Sequence, residues 1–265
     1  MAVKSGKWSD FGVRLASAAV LGPIALACVW AGGEAWRIFL LVAIVGLGRE
    51  WGRLAKLPDS GYGQEFLMLA LGLAVVLARV GPWLGLVELA AATGFAAWRY
   101  GRFAAVGIPY AGLGGIALIW LRLQPVHGLY DTIFLVVTVW GTDIGAYLVG
   151  RLLGGPKMAP KISPGKTWSG GVGGLLIGGV AAAILAGGGS GFDAAALPAA
   201  FLLSIFAQAG DLMESAIKRR LGVKDSGNTI PGHGGLFDRL DGFLAAAPVA
   251  ALLALSMQGG LPLWG

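Results

Sequence analysis

Apolar runs separated by short polar stretches account for most of the chain. Nine can be marked, at roughly 11–31, 34–48, 64–78, 82–98, 104–122, 129–149, 170–187, 194–209 and 242–258. Their length predicts membrane-crossing helices, although several fall short of the ~20 residues that span a full hydrocarbon core. Short runs can take in flanking aromatic or glycine residues, or tilt less. The boundaries are soft, so eight to ten spans fit the pattern about as well. Trp8, Trp51, Trp83 and Tyr130 stand at run edges, where aromatic side chains anchor to a membrane interface. The expected fold is therefore an all-α, polytopic integral membrane protein of about nine transmembrane helices.

Composition agrees with this pattern. Among 265 residues, 56% are hydrophobic and 13% charged, against about 25% charged in an ordinary soluble domain. Mean hydropathy is +0.74. A soluble protein this apolar lacks the polar surface to cover itself; lipid as solvent removes the difficulty. The 46 glycines, with many alanines, suit helices that approach closely in a membrane. Cys28 has no partner cysteine, and no paired motif suggests zinc. The run from Phe11 reads as a retained span, not a cleaved leader, because it is long and further spans follow.

The net charge of +6 would suggest nucleic acid in a soluble protein, but its placement says otherwise. With a cytoplasmic N-terminus and nine spans, 17 of the 20 Lys and Arg residues fall inside. Only Arg37, Arg79 and Arg122 fall outside. That asymmetry is the positive-inside pattern, counted over the short loops where it holds best. The tail after Met257 has no Lys or Arg, consistent with an external C-terminus. Two inside loops, 150–169 and 210–241, hold much of the charge. Residues 1–125 read as helices with little readable chemistry, and 126–265 as the catalytic part. Gly22-Pro23 and Pro109 lie within spans, where neighbouring helices can satisfy freed backbone groups. Glu88 lies within a span and reads either as a functional carboxylate or as one held between helices. Asp131, near the outer end of its span, reads as an interface residue.

The chemistry gathers after Gly210. Asp211, Glu214, Ser215 and Lys218 are spaced three, one and three apart, which places them on one helix face. Gly222 is expected to end that helix. The stretch Pro231-Gly232-His233-Gly234-Gly235 exposes backbone able to approach phosphate. Asp238 and Asp241 share a face at the start of the last helix. Carboxylates 211, 238 and 241, among Lys218, Arg219, Arg220, Lys224 and Arg239, suit a divalent cation with substrate phosphates. Phosphoryl or nucleotidyl transfer needs little more than such positioning and charge. Asp143 lies well inside its span, with Tyr147 four residues on. Lys157, Lys161, Ser163, Lys166 and Thr167 supply a second polar stretch. Gly165-Lys166-Thr167 is not a phosphate-binding P-loop, because Pro160 replaces its first glycine.

Residues Ser215–Asp241, SAIKRRLGVKDSGNTIPGHGGLFDRLD, closely resemble the signature of the phosphatidate cytidylyltransferases, or CDP-diacylglycerol synthases. Every position of S-x-x-K-R, four residues, K-D, then P-G-H-G-G-x-x-D-R-x-D is met. Gly210-Asp211, the Asp143 to Tyr147 stretch and Lys161 to Trp168 also look like family segments. Where many bacterial members carry an acidic residue after Trp168, this chain has Ser169.

The resemblance implies that CTP and membrane phosphatidate give CDP-diacylglycerol and pyrophosphate, with Mg²⁺. It implies a bacterial inner (plasma) membrane location, an active site facing the cytoplasm, phospholipid biosynthesis and often a homodimer. Nucleic acid is not an expected partner. Carried over, Asp211, Asp238 and Asp241 form the metal and catalytic set, with Lys218 and Asp143 catalytic beside them. Ser163, Lys166, Thr167, Glu214, Ser215, Arg219, Lys224, Asp225, His233, Gly234, Gly235 and Arg239 are the expected substrate contacts. A CDP-archaeol synthase or polyprenol kinase would share charged cytoplasmic loops. A transporter or channel would need charges through the membrane depth and paired broken helices.

Overall fold

The computed structural model describes residues 7–58, 61–230 and 234–257. Nine long helices lie among the described residues, one for each apolar run. They are α1 (Lys7–Ala31), α2 (Gly33–Leu54), α3 (Gly63–Ala78), α4 (Pro82–Arg99) and α5 (Arg102–Arg122). Then come α6 (Gly128–Leu153), α7 (Trp168–Gly187), α8 (Leu197–Arg220) and α9 (Phe237–Ser256). Five of them, α5 to α9, are long and apolar enough to cross a membrane. Many large apolar side chains face outward, among them Leu69, Val87, Val172 and Leu252. An exposed apolar girdle of this kind is stable against lipid and not against water. The chain is a multi-pass, α-helical membrane protein.

Residues 150–169, expected as a loop, are more ordered than that. Helix α6 runs on to Leu153, and a two-stranded antiparallel hairpin follows, β1 (Lys157–Ala159) with β2 (Ser163–Thr167). Lys157 pairs with Thr167, and Ala159 with Ser163. Thr167 then caps α7, its hydroxyl accepting from Gly170 N at 3.1 Å. Among the described residues the fold is all-α apart from this hairpin and one isolated bridge, Ile230 with Gly234.

Small residues set the helix spacing in the second half. Where α6 crosses α7, a Cβ at Gly174 would stand 2.6 Å from the Thr142 carbonyl oxygen. Only glycine allows that approach. Thr142 Oγ1 also donates to Ser204 Oγ at 2.8 Å, tying α6 to α8. A Cβ at Gly210 would lie 2.5 Å from the Asp241 carbonyl oxygen, so α8 and α9 meet backbone to backbone. That contact decides where Asp211 and Asp241 end up.

The two halves join through α2, α5 and α9. Trp51 was expected to be an interface anchor; it is buried instead. Its indole N–H donates to Phe103 O at 3.1 Å, and its ring lies 5.4 Å from that of Phe237. Burying the indole is tolerable because its one polar group is satisfied. Trp83 and Tyr130 are exposed as expected, whereas Asp131 is buried inside the bundle. Arg122 reaches back to the end of α1, donating to Val29 O and to Trp30 O (2.5 and 3.0 Å). A cation there satisfies carbonyls left open at a helix C-terminus.

Candidate active site

Helix α8 carries the first face. Asp211, Glu214, Ser215 and Lys218 line it as their spacing requires. Ser215 Oγ donates to Asp211 Oδ1 at 3.4 Å, and Lys218 Nζ pairs with Glu214 at 2.8 Å. The helix ends in a Schellman motif: Val223 N bonds Lys218 O, and Gly222 N bonds Arg219 O. Gly222 takes φ +72°, the left-handed conformation that closes such an end.

Three carboxylates then converge. Asp211, Glu214 and Asp241 each present an oxygen within 4.8 Å of the others. At an effective dielectric of ~20, repulsion at that range is on the order of 3 kcal/mol per ionised pair. Lys166, brought over by β2, pairs with Asp211. Asp143 on α6 also faces this group; Asp211, Lys166 and Arg239 are its charged neighbours. Glu214 is almost wholly buried, and its Oε1 has no hydrogen-bond partner among the described residues. A buried carboxylate oxygen left open costs free energy unless something else fills the place. Three converging hard oxygen donors with one open lone-pair site fit a divalent cation such as Mg²⁺.

Asp238, expected beside Asp211 as a metal ligand, is turned to other partners. Its Oδ1 accepts from Lys218 Nζ at 2.5 Å. Its Oδ2 accepts from Ser226 N and Ser226 Oγ, both at 3.0 Å, and from Gly235 N at 2.8 Å. Glu214, expected as a substrate contact, occupies the third place among the converging carboxylates instead.

The rest of the signature is shaped around a residue that sequence reasoning passed over. Glu50, near the end of α2, is buried. It accepts from Thr229 Oγ1, from Ser226 Oγ at 3.0 Å, and from Leu236 N and Phe237 N at 2.8 and 2.9 Å. The last two are amides at the start of α9, where the helix dipole favours an anion. A side chain at Gly235 would run into both Ser226 Oγ and Glu50. The one signal in the sequence was an acidic residue at an otherwise basic helix end, Arg49-Glu50-Trp51-Gly52-Arg53.

The remaining expected contacts divide. Arg219 holds structure: it donates to Ile162 O in the hairpin turn at 3.1 Å and to Val223 O at 3.3 Å. Thr167 is spent on the α7 cap, and Ser169 ties the hairpin base by donating to Gly154 O. Ser163 begins β2. Lys224 and Asp225 are exposed on the turn after α8. Gly234 forms a bridge with Ile230 at φ +83°. Arg239 borders an apolar cavity of about 690 Å³ between α1, α2, α6 and α9, also lined by Leu26, Phe39 and Phe243. His233 lies outside the described residues.

This arrangement can be set beside known proteins. The model of the cytidylyltransferase family matches residues 12–257. The chain belongs to the cytidylyltransferase family. It is 40% identical over 256 residues to a Brucella suis protein named phosphatidate cytidylyltransferase, covering 92% of this chain and 93% of the other. It is 37% identical over 274 residues to a protein of the same name from Pseudomonas aeruginosa, covering 94% and 98%. A Bacillus subtilis protein, again so named, is 43% identical over 155 residues, or 55% of each chain.

Proposed function

We propose that the chain transfers the cytidylyl group of CTP to phosphatidate. A phosphate oxygen of phosphatidate attacks the α-phosphorus of CTP; the bond to the bridging β-phosphate oxygen breaks, and pyrophosphate leaves. The observation that carries this reading is the convergence of Asp211, Glu214 and Asp241, in a chain whose relatives are named for that activity. These three residues would hold Mg²⁺, which when bound neutralises phosphate oxygens. Lys166 and Lys218 bring positive charge to the same place, so the charge developing on pyrophosphate meets fixed cations. Asp238 fixes the Lys218 ammonium in position. The nucleophile is already anionic near neutral pH, so no general base is required. The cavity beside Arg239 gives acyl chains an apolar place near the reacting phosphate.

The charge asymmetry supports nine spans with the N-terminus in the cytoplasm, and the cluster facing the nucleotide pool. The names and sources of the relatives support a bacterial inner membrane. The test is transfer of label from CTP into lipid by purified protein. Label is expected in lipid only with phosphatidate and Mg²⁺ both present. No labelled lipid, or labelling that ignores phosphatidate, overturns the reading.

A further inference from the structure

A second feature lies on the outward side of α2. Val42, Val45, Gly46, Arg49 and Arg53 follow at intervals of three, one, three and four, so they form one stripe. With Leu41, Met68 of α3, and Asn228 and Thr229 of the signature turn, they line a groove of about 630 Å³. None of Asp211, Glu214 and Asp241 lines it. The floor is apolar. The two arginines stand together at the end where the signature turn packs. Both are exposed, and neither makes an ion pair or hydrogen bond with a described residue. Glu50, between them in sequence, is turned inward to the turn and does not neutralise them.

From Val42 to Arg49 is about 10 Å of helix rise. Apolar floor and cationic rim thus follow one another as acyl chain and headgroup do. A phosphate monoester carries close to two negative charges, which two guanidiniums match. Their planar forks take phosphate oxygens in pairs. A phosphodiester lipid brings one charge and fewer free oxygens.

We infer that this groove holds a lipid phosphomonoester, a second phosphatidate molecule waiting beside the active site. Its chain lies along Val42, Val45 and Met68, and its phosphate on Arg49 and Arg53. The inference rests on the reading of phosphatidate as the lipid substrate. The groove touches the site through the chain. Thr229 lines it and also donates to Glu50. Leu236 packs on Gly46, where a Cβ would come within 2.5 Å of its Cδ1. A phosphate seated there braces the turn that Glu50 and Asp238 hold.

The test uses the full chain in phosphatidylcholine vesicles with phosphatidate titrated in. In R49Q/R53Q the half-saturating surface fraction of phosphatidate should rise roughly ten-fold. Half-saturation by CTP and the rate at saturating lipid should not change. R49K/R53K, which keeps charge without the fork, should fall between, and it carries the test if the Gln variant does not insert. Spin-labelled phosphatidate and phosphatidylglycerol give a readout without CTP. Wild type should retain the first over the second, and the Gln variant should lose much of that preference. An unchanged phosphatidate requirement overturns the inference. So does a loss shared equally with CTP, equal retention of the two labelled lipids by wild type, or a change in oligomeric mass alone. If wild type transfers no cytidylyl group, the functional reading fails, while the spin-label comparison still judges the groove.

Discussion

Two sets of carboxylates meet at one end of the bundle, and they are held in opposite ways. Glu50 and Asp238 are filled: every oxygen accepts from a donor of the protein itself. Asp211, Glu214 and Asp241 are held by fewer donors: Ser215 Oγ and Lys166 for Asp211, Lys218 for Glu214 and Gly242 N for Asp241. They face one another within 4.8 Å, and one Glu214 oxygen is buried without a partner among the described residues. Asp238 and Asp241 are three residues apart on one helix, yet they belong to different sets. Residue type and nearness do not separate the roles; the supply of protein donors does. The filled set holds the turn, and the more sparsely held set is the one proposed above to take a divalent cation.

The largest effect expected of this contrast is on turnover. Asp211→Asn and Asp241→Asn should each lower cytidylyl transfer roughly 100-fold or more. Their thermal midpoints should hold or rise, because one charge leaves a mutually repelling group. Asp238→Asn should lower rate and thermal midpoint together, because Lys218 and the Ser226 turn lose their anchor. Measuring rate and midpoint on the same purified samples separates the two sets. An Asp238→Asn protein with wild-type stability and no activity would put Asp238 among the sparsely held set, as its position in the signature had suggested.

The parts of this molecule that follow local rules were legible in sequence. Nine apolar runs became nine helices among the described residues, and 211, 214, 215 and 218 fell on one face. The Schellman end at Gly222 followed from glycine after a basic last turn. Asp238 could not be separated from Asp211 and Asp241, because its partners come from the turn at Ser226 and Gly235. Glu50 was missed because nothing within α2 needs it; its four donors lie some 180 residues away, with separations of 176 to 187. Trp51 was misplaced for the same reason. An indole at a run edge anchors equally well to a membrane interface or to a neighbouring helix, and only the arrival of Phe103 and Phe237 decides. The hairpin at 157–167 was read as loop because its strands are three and five residues long.

The next effect bears on stability. Glu50→Ala removes the acceptor for two hydroxyls and two backbone amides in a buried place. Orphaned donors of this kind, with partial relaxation, should cost about 3–5 kcal/mol. The loss should be read as a lower denaturation midpoint, together with faster proteolysis at the signature turn. Glu50→Gln keeps one acceptor oxygen and should fall between. Activity should fall in step with the ordered fraction. A Glu50→Ala protein as stable as wild type would break the contrast from the other side.

The smallest effect concerns the hydroxyl the two filled carboxylates share. Ser226 Oγ lies 3.0 Å from both Glu50 Oε2 and Asp238 Oδ2, yet it has one proton to give. It therefore bonds one strongly at a time, or both weakly. Ser226→Ala removes that proton but leaves Ser226 N on Asp238, Leu236 N and Phe237 N on Glu50, and Lys218 on Asp238. The expected cost is about 1–2 kcal/mol, well below that of Glu50→Ala. The double variant Ser226→Ala with Glu50→Gln tests whether the hydroxyl separates two charges. With one charge already gone, losing the hydroxyl should cost less than it does alone. Simple additivity in the denaturation midpoints would mean the two carboxylates are held independently, and that the turn has two anchors in place of one shared network.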